Sequence, residues 1–229
     1  MVVRALALLL SALPCTAATI AIDVGHYLEA PGVTSAHGRV EFEFNRDLAR
    51  EIDAQLQARG RATQLIGAGG DLNSLAARPR LADKAALFVS VHHDSMQEFL
   101  LSTWTYEGVE RKYGDRFEGF SLFVSHENPG WRKALRCASA IGAALIRTGF
   151  KPSLYHADKK VGENRPFADR TNGVHYFDRL AVLRNARMPA LLFEAGVIVN
   201  REEEKRMADP EVRARIAAAV VNGIEECMP

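Results

Sequence analysis

The chain has 229 residues, 48% hydrophobic and 25% charged, an ordinary globular composition long enough to bury a full core as one domain. A formal net charge of +1 lacks the basic excess of a general nucleic-acid binder, so no nucleic-acid partner is expected. Three cysteines are too few for a disulfide framework or for a cysteine-built zinc site.

The chain opens with Met1-Val2-Val3-Arg4, an apolar run from Ala5 to Leu13, and small residues at Cys15, Ala17 and Ala18. That three-part pattern reads as a secretory signal peptide over residues 1–18, leaving 19–229 as the working domain. It predicts export, with the periplasm preferred to full secretion. No later stretch reaches the roughly 18 to 20 apolar residues of a spanning helix, so the mature chain is expected to carry no membrane span. Cleavage leaves Cys137 and Cys227 on two predicted helices. An oxidising compartment allows a bridge, but two separate buried cysteines are the simpler expectation.

Thr19 to Val24 is a short apolar, β-branched run ended by Gly25 and predicts a buried strand. From Glu41, Phe44, Leu48, Ile52 and Leu56 recur every four residues until Gly60, which predicts an amphipathic helix. Ala62 to Ile66 follows as a strand, Leu75 to Ala86 as a helical region, and Leu87 to Val91 as a strand running into His92. Gly119 to Ser125 reads as a strand, Trp131 to Thr148 and Phe177 to Ala186 as helices, and Ala190 to Phe193 as a strand running into Glu194. Pro210 starts a last helix to about Glu226. Strands alternating with helices predict a single α/β domain, a largely parallel central sheet flanked by helices. Met96 to Glu118 and Lys151 to Tyr176 break the alternation and read as two long insertions.

Ligands of open α/β sheets bind beyond the carboxyl ends of the strands. His26, His92 and Glu194 each follow such an end, and Glu41 opens the first helix. Two histidines and two glutamates make up the composition of a catalytic zinc site, with a fourth position left for water. Singly, each has a plain alternative as a loop, capping or helix-dipole residue.

Four short motifs carry these residues in order: Asp23-Val24-Gly25-His26; Glu41 with Asn45 and Ala49; Ser90-Val91-His92-His93-Asp94-Ser95; and Leu191-Leu192-Phe193-Glu194-Ala195-Gly196 with Asn200. In these motifs the chain resembles the zinc-dependent N-acetylmuramoyl-L-alanine amidases of the Ami and LytC type. The resemblance implies one Zn²⁺ held by His26, Glu41 and His92, with Glu194 as the catalytic acid/base. It implies peptidoglycan as substrate, cut between the lactyl group of N-acetylmuramic acid and L-alanine in wall remodelling or daughter-cell separation. Alternatives are another zinc peptidase or deacylase of cell-wall peptides, or a non-catalytic wall-binding homologue. Glu43 is the reserve for Glu41. Neighbouring strand residues point to opposite faces, so His92 and His93 do not readily share one metal, and the motif selects His92.

Asp23 is a candidate to orient His26 through a hydrogen bond. Regulated relatives carry extra structure between the second histidine and the last glutamate that blocks the zinc until an activator moves it, which makes a protein activator a candidate partner. Glu163, in the second insertion, then reads either as a group that shields the metal or binds substrate, or as a surface acid paired with an arginine. Asn200 joins it as a candidate for substrate binding or regulation.

Overall fold

A computed structural model describes residues 18–228, so nearly all of the proposed leader lies outside the described residues. The central sheet has seven strands: β1 (Ile20–Val24), β2 (Thr63–Ile66), β3 (Leu87–Asp94), β6 (Ser121–Val124), β7 (Phe167–Asp169), β8 (Val174–Tyr176) and β9 (Ala190–Val197). Their order is β2-β1-β3-β9-β6-β8-β7. The first four run parallel to one another, β6 turns antiparallel to β9, β8 is parallel to β6, and β7 antiparallel to β8. The sheet is therefore mixed, with a parallel half that carries all the predicted strand-end residues.

Both faces of the sheet are covered, which is why its central strands read as continuous apolar runs rather than alternating ones. Ile20, Ile22, Val24, Leu87, Val89 and Val91 pack in one cluster with residues of α1 (Glu41–Ala58), α3 (Trp131–Arg147) and α6 (Pro210–Cys227). Ala21 and Phe88 pack in a second cluster on the other face, with Ala82, Val182 and Leu183 from and beside α2 (Ala77–Leu81) and α4 (Ala181–Arg184). In α1 the four-residue spacing of Phe44, Leu48, Ile52 and Leu56 puts all four in the first cluster.

Several sequence expectations are corrected here. The helical regions at 75–86 and 177–186 shrink to single short turns, α2 and α4. The second insertion supplies β7 and β8 and so extends the sheet. The first folds into a separate hairpin of β4 (Ser102–Tyr106) and β5 (Val109–Tyr113), turned at Glu107-Gly108 with positive φ at both residues. An unforeseen helix, α5 (Arg201–Ala208), follows β9, and Asp209 caps α6 with Pro210 in its first turn. Finally, Cys137 and Cys227 form a disulfide that ties α3 to α6 across 90 residues of chain, in place of two separate thiols.

Candidate metal centre

The site lies at the carboxyl edge of β1, β3 and β9. His26 follows the end of β1 in a left-handed conformation, φ 66°, which is uncommon for a residue with a side chain. The buried guanidinium of Arg78 on α2 holds this bend, donating to the carbonyls of Val24, His26 and Leu72 and pairing with Asp23 Oδ1 at 2.8 Å. Asp23 also accepts from Ser90 Oγ at 2.7 Å. Asp23 was expected to hydrogen-bond His26. Its carboxylate is instead taken up by Arg78 and Ser90, and it supports His26 only through the arginine.

Glu41, in the first turn of α1, is 4% exposed. Its Oε2 lies 3.1 Å from His26 Nε2 and its Oε1 3.1 Å from His92 Nδ1. Two glycines make room for this convergence. A Cβ on Gly25 would fall 2.3 Å from the His92 ring, and one on Gly32, already at φ 81°, would fall 2.3 Å from Glu41 Oε2. Burial opposes charge on Glu41, but hydrogen bonds from His26 and His92 outweigh it and hold the carboxyl below its ordinary range. Burial likewise opposes the His26 imidazolium, and Glu41 outweighs it to raise that pKa.

The ligand atoms of His26, Glu41 and His92 all lie within 4.8 Å of one another. Nitrogen and oxygen donors about 2.0–2.2 Å from a tetrahedral zinc stand roughly 3.3 Å apart; the two 3.1 Å spacings, one from each Glu41 oxygen, come close to this, within a set that spreads to 4.8 Å. The donor set and its spacing fit a small borderline cation. Of the reserves, Glu43 pairs with Arg39 at 3.1 Å. His93 is 4% exposed, packed against Phe44, with Nδ1 2.8 Å from Asn45 Oδ1. Burial pulls its pKa down to about 3, so this ring is neutral.

Glu194 sits on β9 in direct register with His92 on β3. Its Oε2 is buried without a hydrogen-bond partner among the described residues. Burial, then the charges of Asp94, Glu41 and Glu163, raise its pKa well above the ordinary carboxylate value. A carboxyl of this kind beside a metal site is suited to carry a proton during a reaction.

Sequence reasoning missed a buried chain of charges next to Glu194. His156 joins Asp94 Oδ2 at 2.6 Å through Nε2 and Glu163 Oε2 at 2.7 Å through Nδ1, and Arg165 also pairs with Glu163. Burial works against the His156 cation, but the two carboxylates prevail and lift it to about 9. Burial would raise Glu163, and its bonds to His156 and Arg165 lower it to about 2. Glu163 is thus engaged with its own loop and does not join the three converging ligands. Asn200 caps α5, accepting from the amides of Glu202 and Glu203 at 3.1 Å each, and donates to the Phe117 carbonyl at 3.1 Å. These bonds occupy its amide in structure, against the expectation of a substrate or regulatory role. Nothing in the polar run around His156 signals its burial; only the fold brings it to Asp94.

The family model described as N-acetylmuramoyl-L-alanine amidase matches residues 20–226. The chain belongs to this amidase family. AmiA of Salmonella typhimurium, an N-acetylmuramoyl-L-alanine amidase, is 27% identical over 219 residues, 90% of this chain and 74% of its own. Among solved structures, the amidase Ami1 of Mycobacterium smegmatis superposes with a TM-score of 0.72 at 21% identity, covering 92% of this chain and 96% of its own. The CwlD amidase of Clostridioides difficile, solved in complex with the lipoprotein GerS, gives 0.69 at 18% identity over 92% and 98%. These two show the shared fold. The amidase is a peptidoglycan hydrolase that cleaves the amide between N-acetylmuramic acid and L-alanine.

Proposed function

We propose that the amidase is an exported zinc enzyme in which His26, Glu41 and His92 hold one Zn²⁺ and Glu194 transfers the proton. The observation that carries this reading is the convergence of three N and O donors with the raised carboxyl of Glu194 in register beside them. When bound, zinc supplies a water acidified toward pKa about 7 and a charge to polarise the scissile carbonyl. Glu194 accepts the proton of the attacking water on its carboxylate and delivers it to the nitrogen of L-alanine, an amine that leaves poorly unless protonated. Asn45 donates to Glu41 Oε1 at 3.1 Å and fixes its carboxylate toward the two histidines. Arg78 does the same for the His26 backbone.

The Cys137–Cys227 disulfide supports export, since such bonds persist in oxidising compartments; the periplasm is our reading of the destination. A protein activator belongs to the same proposal, with the CwlD–GerS complex as a precedent in a neighbour. The test is Glu194→Gln assayed on purified peptidoglycan with zinc measured in parallel. The expected result is retained zinc and a rate lower by about 10² to 10⁴. In the wild type, released peptides should begin with L-alanine and the glycan should keep its lactyl group. Near-normal turnover in zinc-replete Glu194→Gln overturns the proton-transfer role, and released peptides with any other first residue overturn the assignment of the bond.

A further inference from the structure

The hairpin β4–β5 presents Trp104, Tyr106, Arg111 and Tyr113 inward and Thr103, Thr105, Glu110 and Lys112 outward, as the alternation of half-buried and exposed positions shows. Its aromatic residues are anchored: Trp104 Nε1 donates to the Ala36 carbonyl at 3.0 Å, and Arg201 stacks over Tyr113 at 3.9 Å while pairing with Asp115. Lys112 pairs with Glu98. Arg111 is different. Its guanidinium packs against Gly38, where a Cβ would come within 2.7 Å, and it makes no ion pair or hydrogen bond among the described residues. Its Nε is buried without a partner.

Arg111 lines a groove of about 450 Å³, together with Val33, Ser35, Ser95, Met96 and Glu110. That is the size range of small-ligand sites. None of the candidate metal ligands lines the groove, but two of its lining residues adjoin them. Val33 donates its amide to Glu41 Oε2 at 3.3 Å on one wall, and Ser95 follows Asp94, the partner of His156 near Glu194, on the other. A substrate cut at the metal centre has two limbs. The muramic-acid limb is uncharged once its lactyl group is in amide linkage, so every carboxylate lies on the peptide limb. A planar guanidinium with no internal partner matches a carboxylate in charge and in bidentate geometry.

We propose that Arg111 binds a carboxylate of the stem peptide, placing the peptide limb in the groove between the hairpin and the Val33–Ser35 loop. This rests on the amidase reading and adds to it a specificity for acidic peptides. Glu98, Glu110 and Lys112 line the groove as well; Lys112 pairs with Glu98, and Glu110 makes no ion pair with Arg111 among the described residues. Because the contact is remote from the scissile bond and is made before and during reaction alike, its loss raises KM and leaves kcat nearly unchanged.

The experiment uses the mature enzyme and two soluble muramoyl peptides that differ in one group, the α-carboxylate of the residue after L-alanine or its carboxamide. The wild type should prefer the carboxylate by about tenfold in KM, the size expected for one partly exposed charged hydrogen bond. Arg111→Gln should remove that preference, raising KM for the carboxylate and leaving the carboxamide unaffected, while Arg111→Lys keeps part of it. Equal KM values in the wild type, or an undiminished preference in Arg111→Gln, overturn the proposal while leaving the amidase reading intact. Failure of the wild type to release peptides from either substrate and from purified peptidoglycan overturns that reading, and the proposal with it.

Discussion

Asn45 is fully buried one turn into α1, and its amide joins three parts of the site. Nδ2 donates to Glu41 Oε1 at 3.1 Å and to the Gly25 carbonyl at 3.3 Å, and Oδ1 accepts from the neutral ring of His93 at 2.8 Å. Replacing Asn45 by Ala leaves the His93 ring nitrogen and the Gly25 carbonyl without these partners in a dry setting. Each such group costs about 1–3 kcal/mol, so with the small void the total is about 3–5 kcal/mol. For a domain of this size that lowers Tm by roughly 6–20 °C, at about 2–4 °C per kcal/mol. Glu41 also loses the donor that holds Oε1, and support of that kind is commonly worth about 10- to 100-fold in metal affinity. Differential scanning calorimetry and a competitive zinc titration on purified Asn45→Ala measure the two effects separately. A melting point within about 2 °C of wild type together with unchanged zinc affinity refutes the positioning role.

Three further outcomes follow from the geometry. His26→Ala, Glu41→Ala and His92→Ala should each lower zinc content, while Glu43→Ala, which removes a partner of Arg39, and His93→Ala should largely keep it; zinc loss in Glu43→Ala with retention in Glu41→Ala reverses the ligand choice. Cys137→Ser should destabilise the fold by up to about 4–5 kcal/mol, the loop-closure value for a 90-residue separation, read in a denaturant titration against the oxidised wild type, and identical midpoints would count against the bridge. His156, raised from 6.5 to about 9, stabilises the fold fully below pH 6.5 and loses that contribution as pH rises through 9; the Tm gap between wild type and His156→Ala should therefore narrow from pH 6 to pH 10, and a constant gap means the imidazolium contributes nothing.

How much of the fold could be read from sequence depended on whether burial left a periodic mark. β1, β3 and β9 are buried on both faces, so each is a compact apolar run, and α1 carries one apolar residue per turn. α5 leaves no such mark. Its sequence Arg-Glu-Glu-Glu-Lys-Arg-Met-Ala is polar almost throughout, and it is started by the Asn200 cap and anchored by Met207 and the buried Glu203. Glu203 accepts from the amides of Gly119 and Val197 at 2.9 Å, yet burial outweighs those bonds and lifts it to about 7. β7 and β8 are three residues each, too short to show a period inside a polar run. The opposite error arose at 75–86 and 177–186, where apolar residues cover the second face of the sheet from irregular chain. Pro79 in the first of these removes an amide that a longer helix needs.

The site divides along the same line. His26, Glu41, His92 and Glu194 were legible because each stands at a strand or helix end whose position the apolar pattern fixes, and strand parity then separates two adjacent histidines. Val91 and His93 face α1, where His93 meets Phe44, while His92 turns with Glu194 to the other side of the strand edge. His156 and Asp94 had no such frame. They are 62 residues apart, His156 comes from a short turn in a polar loop, and their bond exists because β7 and β8 pin that loop to the sheet edge beyond β6. The consequence is chemical. Asp94 and Glu163 both raise Glu194, and His156 is hydrogen-bonded between the two, its own pKa raised by them. The loop that sequence alone marks as an insertion therefore helps set the proton affinity of the residue we assign to proton transfer, although none of its side chains joins the His26, Glu41 and His92 cluster.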